Sequence, residues 1–195
     1  MSGKPQYNEA MVINAAITVF WRHGYAAASI NDLSIATGLS RSSIYQRFGN
    51  KDGLFQEALA TYTQRVLQRM KPEPENSAKE RLEMLLKTFS PQKSAKSSTS
   101  PVGCFLCRSC NEKADLSEKG YRLALQGVNQ QKEVINNILL EGVRSGELGQ
   151  NANIDVLSWY YLGVLQSIVN FSSLGATSAI LEDIIDLALS KWTVG

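Results

Sequence analysis

The sequence predicts an all-α protein in which a three-helix helix-turn-helix domain precedes a larger helical bundle. Apolar residues recur at helical spacing along most of the chain, whereas the alternation typical of half-buried strands is nearly absent. Two short helical segments meet at a Gly-containing turn, which is the pattern of a helix-turn-helix. The chain has 195 residues, 44% hydrophobic and 19% charged, which is typical of a globular protein.

The N-terminal domain is predicted to begin with a helix over residues 8–23 that ends at Gly24. Ser29 is expected to cap the second helix, with Asp32 as its capping-box partner. That helix should end near Gly38, because glycine can adopt the left-handed conformation that a sharp turn needs.

The third helix is predicted to run from its cap, Ser40, to Gly49. Its exposed residues are short or basic and suit the major groove of DNA. These residues are Arg41, Ser42, Ser43, Gln46 and Arg47. The backbone N–H groups at its start can also receive a phosphate. The alternative interpretation is an ordinary corner between two helices of a helical protein.

A long fourth helix, capped by Asn50, is predicted to reach about residue 70, where the prolines of "KPEPEN" end it. We therefore expect a helix-turn-helix domain over residues 1–50. The second domain is expected over residues 51–195, with the helix at about 50–70 linking the two.

The second domain is also predicted to be helical. Ser100 followed by Pro101 indicates a helix start, after a Ser-rich polar loop over residues 91–101. Apolar periodicity indicates further helices at about 82–89, 117–144, 154–174 and 178–192.

Charge is unevenly distributed along the chain. The net charge is +2, but residues 1–71 contain eight Lys/Arg against four Asp/Glu, whereas residues 72–195 contain twelve against fourteen. A basic N-terminal part favours a polyanionic partner, with ordinary surface variation as the alternative.

Three closely spaced cysteines argue against a secreted disulfide framework. The sequence shows no charged-then-apolar leader and no confident membrane span. We therefore expect the protein in a reducing cytoplasm.

The stretch "AAITVFWRHGYAAASINDLSIATGLSRSSIYQRFGNKDGLF" resembles the DNA-binding domain of TetR-family transcriptional regulators. The resemblance covers residues 15–55. It departs at Ser34 and Thr37, where the family usually has alanine, and at Ser42, where glycine is frequent. It implies that Ser29, Tyr45 and Lys51 contact phosphates and that Arg41, Ser42 and Gln46 face bases.

The resemblance also implies a homodimeric repressor, associated with the bacterial nucleoid, that a small-molecule effector or cysteine modification releases from a palindromic operator. It implies dimerisation through the last two helices. The sequence agrees, because the eighth predicted helix carries more large apolar groups than a small domain can bury. These are Trp159, Tyr161, Leu162, Leu165, Ile168 and Val169, facing a stripe of Ile180, Ile184 and Ala188. Internal core packing is the alternative.

Cys104, Cys107 and Cys110 repeat every third residue and are predicted to spread along one side of a helix. Cys104 is expected near the helix start, where the dipole favours a reactive thiolate, with Arg108 nearby. Three interpretations stay open: structural burial, sensing of oxidants or electrophiles, and a metal site without an evident fourth ligand. The Gly103-Cys104 opening is similar to a TetR subgroup that includes electrophile sensors.

A small-molecule pocket in the C-terminal bundle is the other sensing route that the resemblance implies. Candidate lining residues are Phe89, Phe105, Tyr121, Trp159, Gln166 and Asn170, although such residues at helical spacing are more often core. No cofactor is expected. An enzyme such as a thiol oxidoreductase is not expected, because the sequence lacks a βαβ pattern, a partner histidine and paired catalytic acids. A transcriptional activator of the same fold remains the main alternative to a repressor.

Overall fold

The computed structural model describes residues 8–71, 76–90, 101 and 103–192. All regular structure in these residues is helical, which confirms the predicted fold class. The helices are α1 (Glu9–His23), α2 (Ile30–Thr37), α3 (Arg41–Phe48), α4 (Lys51–Arg69), α5 (Ala78–Thr88), α6 (Phe105–Asn111), α7 (Glu118–Ser145), α8 (Ile154–Phe171) and α9 (Ser178–Leu189), with a 3₁₀ turn at Ser172–Leu174. The Ser100 cap and all of the predicted polar loop except Pro101 lie outside the described residues. None of the described helices combines the length and apolar character that crossing a bilayer requires.

Packing divides the described chain into two units. The first unit consists of Met1–Gln64 and Phe105–Gly127, and the second of Arg65–Cys104 and Val128–Gly195. The boundary at residue 50 between a DNA-binding domain and a sensing domain stays a prediction. Packing divides the chain differently, because it groups Phe105–Gly127 with the helix-turn-helix.

Local capping signals define the helices of the first unit. Asn8 accepts from the backbone of Met11 and starts α1, which ends at Gly24 with φ +82°. Asn50 accepts a bond from the backbone of Gly53 at 2.8 Å and starts α4. These positions confirm the predicted ends of the first helix and the predicted start of the fourth.

An aromatic cluster forms the core of the first unit. Phe20 and Phe55 are fully buried and meet edge to face, with ring centroids 5.1 Å apart. Phe105, at the start of α6, lies 5.9 Å from Phe55 and 5.5 Å from Tyr62 in the same geometry. Burial of such rings is the main source of core stability. The α6 segment is therefore part of the core that supports the helix-turn-helix.

The start of α6 differs from the prediction. The helix begins at Phe105 and not at Pro101, because Gly103 turns the backbone with φ +86°. Cys104 therefore precedes the helix instead of lying inside its first turns, and only Cys107 and Cys110 are helical. The expected stripe of three helical cysteines was wrong for this reason.

In the second unit, α8 and α9 pack against each other. The Tyr161 hydroxyl donates to the Ala188 carbonyl at 3.2 Å, and burial raises the pKa of Tyr161 to about 12. Trp192 donates from its indole nitrogen to the Glu147 carbonyl at 2.8 Å.

Several residues expected on a dimer face are instead core of their own unit. Tyr161, Leu162, Leu165, Ile168 and Ala188 are all buried within the single chain. The alternative of internal packing is therefore correct for these five, because one helical face cannot serve the core and a second chain together. Trp159, by contrast, is 51% exposed.

Candidate DNA-binding surface

The turn between α2 and α3 is built by short-range hydrogen bonds. Gly38 adopts the left-handed conformation with φ +72°, and its N–H donates to the Ser34 carbonyl. The Ser34 hydroxyl donates to the Leu39 carbonyl at 2.6 Å, and the Leu39 N–H donates to the Thr37 hydroxyl. Ser34 and Thr37, the two departures from the usual alanine, thus fix the turn through their hydroxyls.

The inner side of the turn is apolar. Leu33 and Ile44 are fully buried, and Leu39 and Phe48 nearly so. These contacts confirm the packing that the helix-turn-helix pattern predicts. They leave Arg41, Ser42, Tyr45 and Gln46 on the exposed side of α3.

Ser29, Ser40 and Ser43, which were predicted to contact DNA, form hydrogen bonds at the starts of α2 and α3. Ser29 forms a complete capping box with Asp32, and its side-chain hydrogen bond, followed by its backbone one, lowers the pKa of Asp32. The Ser40 hydroxyl accepts from the Ser43 N–H at 3.0 Å and lies 2.8 Å from the Ser43 hydroxyl. A cap of this kind typically contributes about 1 kcal/mol to stability.

Arg41 reaches back from α3 to α2. Its Nη2 donates to the Asn31 side-chain oxygen at 2.9 Å, and both residues are exposed. Arg41 is thus exposed, like Gln46, and the neutral Asn31 amide does not balance its charge.

Arg47 is held differently from the other basic side chains. Its Nε donates to Glu9 at 3.0 Å and its Nη1 to Glu57 at 3.0 Å, so α3 is tied to α1 and α4. The hydrogen bond that Arg47 donates to Glu9 is the largest cause that raises the pKa of Arg47. The carboxylates of Glu9 and Glu57 would compete with a phosphate for this guanidinium. The sequence did not predict these two ion pairs.

Lys51 anchors the loop that leads into α2. Its Nζ donates to the carbonyls of Tyr25 and Ala28 at 3.0 and 3.1 Å and lies 4.2 Å from the centre of the Tyr25 ring. The side chain is half-buried. It therefore supports the start of α2. The resemblance also assigns Lys51 to phosphate contact.

Glu112 holds the loop that leads into α2, a role that the sequence did not predict. Its Oε2 accepts from the Tyr25 N–H at 2.5 Å, and its Oε1 lies 3.3 Å from Arg108 Nε. Tyr25 and Glu112 are 87 residues apart, so no local pattern could have paired them. Lys51 and Glu112 together hold both polar groups of the Tyr25 backbone.

The predicted effector residues do not all belong to one packing unit. Phe105, Tyr121, Cys107 and Cys110 are in the first unit, whereas Phe89, Cys104, Trp159, Gln166 and Asn170 are in the second. Within the second unit, Asn170 donates to the Gln166 carbonyl at 2.6 Å. Cys104 is buried, and the other two cysteines are half-buried.

Across the described residues, no three His, Cys, Asp or Glu side chains are grouped so as to hold a metal ion.

Comparison with known proteins identifies relatives of the helix-turn-helix and of the whole chain. Residues 12–58 match the family model for bacterial regulatory proteins of the tetR family. The chain is 24% identical to the HTH-type transcriptional repressor ComR of Escherichia coli (strain K12), over 97% of this chain and 91% of ComR. It is 38% identical to the HTH-type transcriptional repressor AcnR of Corynebacterium glutamicum over 52 residues, which are 27% of this chain and 28% of AcnR.

A solved structure with the same fold is a cysteine mutant of the TetR family transcriptional regulator CifR, complexed with 26-bp double-strand operator DNA. It aligns with a TM-score of 0.78 and 24% identity over 98% of this chain and all of that chain. This likeness confirms the fold.

The sequence matches cover the part of the chain that carries the capped turn and the exposed face of α3. They relate it to transcriptional regulators and not to enzymes. Residues 12–58 therefore form a DNA-binding domain of the TetR family, and the chain is a DNA-binding transcriptional regulator.

Proposed function

We propose that the chain is a homodimeric transcriptional repressor that binds a palindromic operator in the bacterial cytoplasm and leaves it when a small-molecule effector binds. The observation that carries this proposal is the exposed face of α3, where Arg41, Ser42, Tyr45 and Gln46 stand clear of a fully packed turn. The names of ComR and AcnR favour repression over activation.

Base readout and backbone contact can be separated by two substitutions. Gln46→Ala is expected to relax preference at one base pair, because a bidentate side-chain contact contributes about 1–3 kcal/mol of discrimination. Tyr45→Ala is expected to weaken binding to all sequences, because its hydroxyl contacts phosphate. Both are measured by fluorescence anisotropy at one salt concentration, with the chain's own upstream DNA and single-base variants of it.

Met11→Ala serves as the control, since Met11 is an exposed residue of α1, outside the exposed face of α3. If Gln46→Ala lost the same affinity on every operator variant, its role in reading a base would be excluded. A reporter gene behind the operator then separates repressor from activator, because deletion of a repressor raises expression and deletion of an activator lowers it.

An exposed apolar face supports the homodimer. Leu187 and Ile180, seven residues apart on α9, are 67% and 49% exposed, and Val156 and Tyr160 of α8 are 59% and 38% exposed. Residues at these spacings share one side of a helix. Apart from Ile180, this face differs in membership from the one expected from sequence, since it uses residues that the core leaves exposed.

Leu187→Glu is expected to yield single chains, because a buried charge without a partner is strongly unfavourable at an interface. Operator affinity should fall with it, since two half-sites are no longer bound together. Light scattering after size exclusion gives the mass. Met84→Glu, at an exposed position of α5, is the control; a dimeric Leu187→Glu variant would exclude this face.

Cysteine modification is the second release route. Cys107 and Cys110 are half-buried on α6, whose Phe105 packs in the aromatic core of the first unit. An operator titration under reductant, then with a mild thiol oxidant, decides between the routes. Release that reductant reverses would favour the cysteines, and unchanged binding would favour an effector pocket.

A further inference from the structure

Two buried amides face each other in the second unit. Gln131 of α7 is 1% exposed, and its Oε1 accepts a hydrogen bond from Gln166 Nε2 of α8 at 3.2 Å. The Gln131 Nε2 and the Gln166 Oε1 are also buried, and no described group bonds either of them. One side-chain donor and one side-chain acceptor therefore remain unsatisfied beside a single hydrogen bond.

This imbalance does not depend on how the amide groups are oriented. Oxygen and nitrogen of a glutamine amide are assigned from the network and not observed. Reversing both amides reverses the direction of the bond but again leaves one donor and one acceptor unpaired. Buried polar groups are nearly always bonded, so an unpaired donor next to an unpaired acceptor indicates a missing partner that carries both functions.

The surroundings restrict the chemistry of that partner. Leu162, Leu165 and Ile135 of the same helices are buried and apolar. The nearest cation along α7, Lys132, is bound to Asp155 at 3.0 Å and lies over the Trp159 ring. A charged ligand would lose its hydration without gaining a free counter-charge, so an uncharged ligand is favoured.

Asn170 follows Gln166 by one helical turn of α8. Gln166 and Asn170 are half-buried, unlike Gln131, and Asn170 Nδ2 donates to the Gln166 carbonyl at 2.6 Å. A Cβ on Gly103 would lie 2.6 Å from Asn170 Oδ1. The backbone at Gly103, two residues ahead of α6, is thus in close contact with Asn170.

We infer that Gln131 and Gln166 receive the amide edge of a small uncharged ligand, whose carbonyl accepts from Gln131 and whose N–H donates to Gln166. This inference rests on the effector-released repressor proposed above and names the chemical class of the effector. Because Asn170 bonds the Gln166 carbonyl and lies close to Gly103, occupancy would be sensed at the chain segment that enters α6.

Benzamide is a suitable probe because it joins an amide edge to an apolar body. Calorimetric titration of the full chain without DNA should detect benzamide binding. Benzoate, which is charged, and toluene, which lacks both hydrogen-bonding functions, should bind about tenfold more weakly or worse. Equal binding of benzamide and toluene, or no binding of benzamide, would overturn the inference.

The double variant Gln131→Leu, Gln166→Leu distinguishes a ligand site from a structural pair. A ligand site predicts an unchanged or raised thermal midpoint, because two unsatisfied buried groups are removed, together with about tenfold weaker benzamide binding. A structural pair predicts a lowered midpoint and unchanged benzamide binding, which would overturn the inference.

Operator binding of the same double variant keeps the two proposals apart. Operator affinity should stay at the wild-type value, whereas release of DNA should need about tenfold more benzamide. Failure of the wild-type chain to bind any operator would refute the proposed function, yet benzamide binding to the protein alone would still test the amide site. The variant Asn136→Leu, which removes a different, part-buried hydrogen bond from α7 to Ser158, is the matched control.

Discussion

Gly53→Ala is expected to destabilise the folded chain by about 3 kcal/mol. Helix propensity alone predicts the opposite, since Gly→Ala in a helix interior usually stabilises by about 1 kcal/mol. The structure overrides propensity here, because a Cβ on Gly53 would lie 2.0 Å from the Phe48 carbonyl oxygen. That oxygen belongs to the backbone at the end of α3, so relief requires α3 and α4 to move apart.

Gly38→Ala is the matched comparison for this substitution. Gly38 has φ +72° but no described atom within 4 Å of an added Cβ, so only the left-handed conformation is penalised, by about 1–2 kcal/mol. Chemical denaturation should therefore rank Gly53→Ala as the more damaging variant. A more stable Gly53→Ala protein would show that α3 and α4 are not in the close contact described.

Glu112→Ala is expected to cost about 2 kcal/mol of stability and to weaken operator binding. The substitution removes the acceptor of the Tyr25 N–H, which is part-buried and 2.5 Å from the carboxylate. The loop from Gly24 to Ser29 then loses one of the two anchors that position the start of α2. Denaturation measures the first effect and anisotropy at fixed salt the second.

Glu118→Ala provides the control for loss of a carboxylate. Glu118 pairs with Arg122 one helical turn later, and its side chain is 89% exposed, so its removal should change stability by less than about 0.5 kcal/mol. Glu112→Gln, which keeps an oxygen acceptor, should retain most of the wild-type stability. Equal, small effects of both alanine substitutions would mean that Glu112 does not hold the loop.

The helix boundaries of the DNA-binding unit were predictable because their causes are local. Ser29 and Asp32 bond within three residues, and Gly38 and Gly24 are recognisable as helix stops from composition alone. Hydrogen bonds of this kind join residues that are close in the sequence, so a single sequence predicts them. The same locality explains why the exposed face of α3 could be identified.

Contacts between distant residues were not predictable from the sequence. Arg47 carries the charge expected of a DNA contact, but its partner Glu9 is 38 residues away. The Ser100-Pro101 signal was locally valid, yet Gly103 delays α6 to Phe105. Apolar periodicity in α8 identified a packed face without revealing that Tyr161 and Leu165 face their own core.

The inclusion of Phe105–Gly127 in the first packing unit has a consequence for how this protein can be made and recombined. A nascent chain that has released only its first 64 residues still lacks Phe105 and Glu112, so the operator-reading half cannot complete its folding until much later in translation. A chimeric regulator that joins those 64 residues to a foreign sensor would leave Phe55 and Tyr62 without the Phe105 ring that packs against both. Exchange of operator specificity between relatives must therefore transfer two separate pieces of chain.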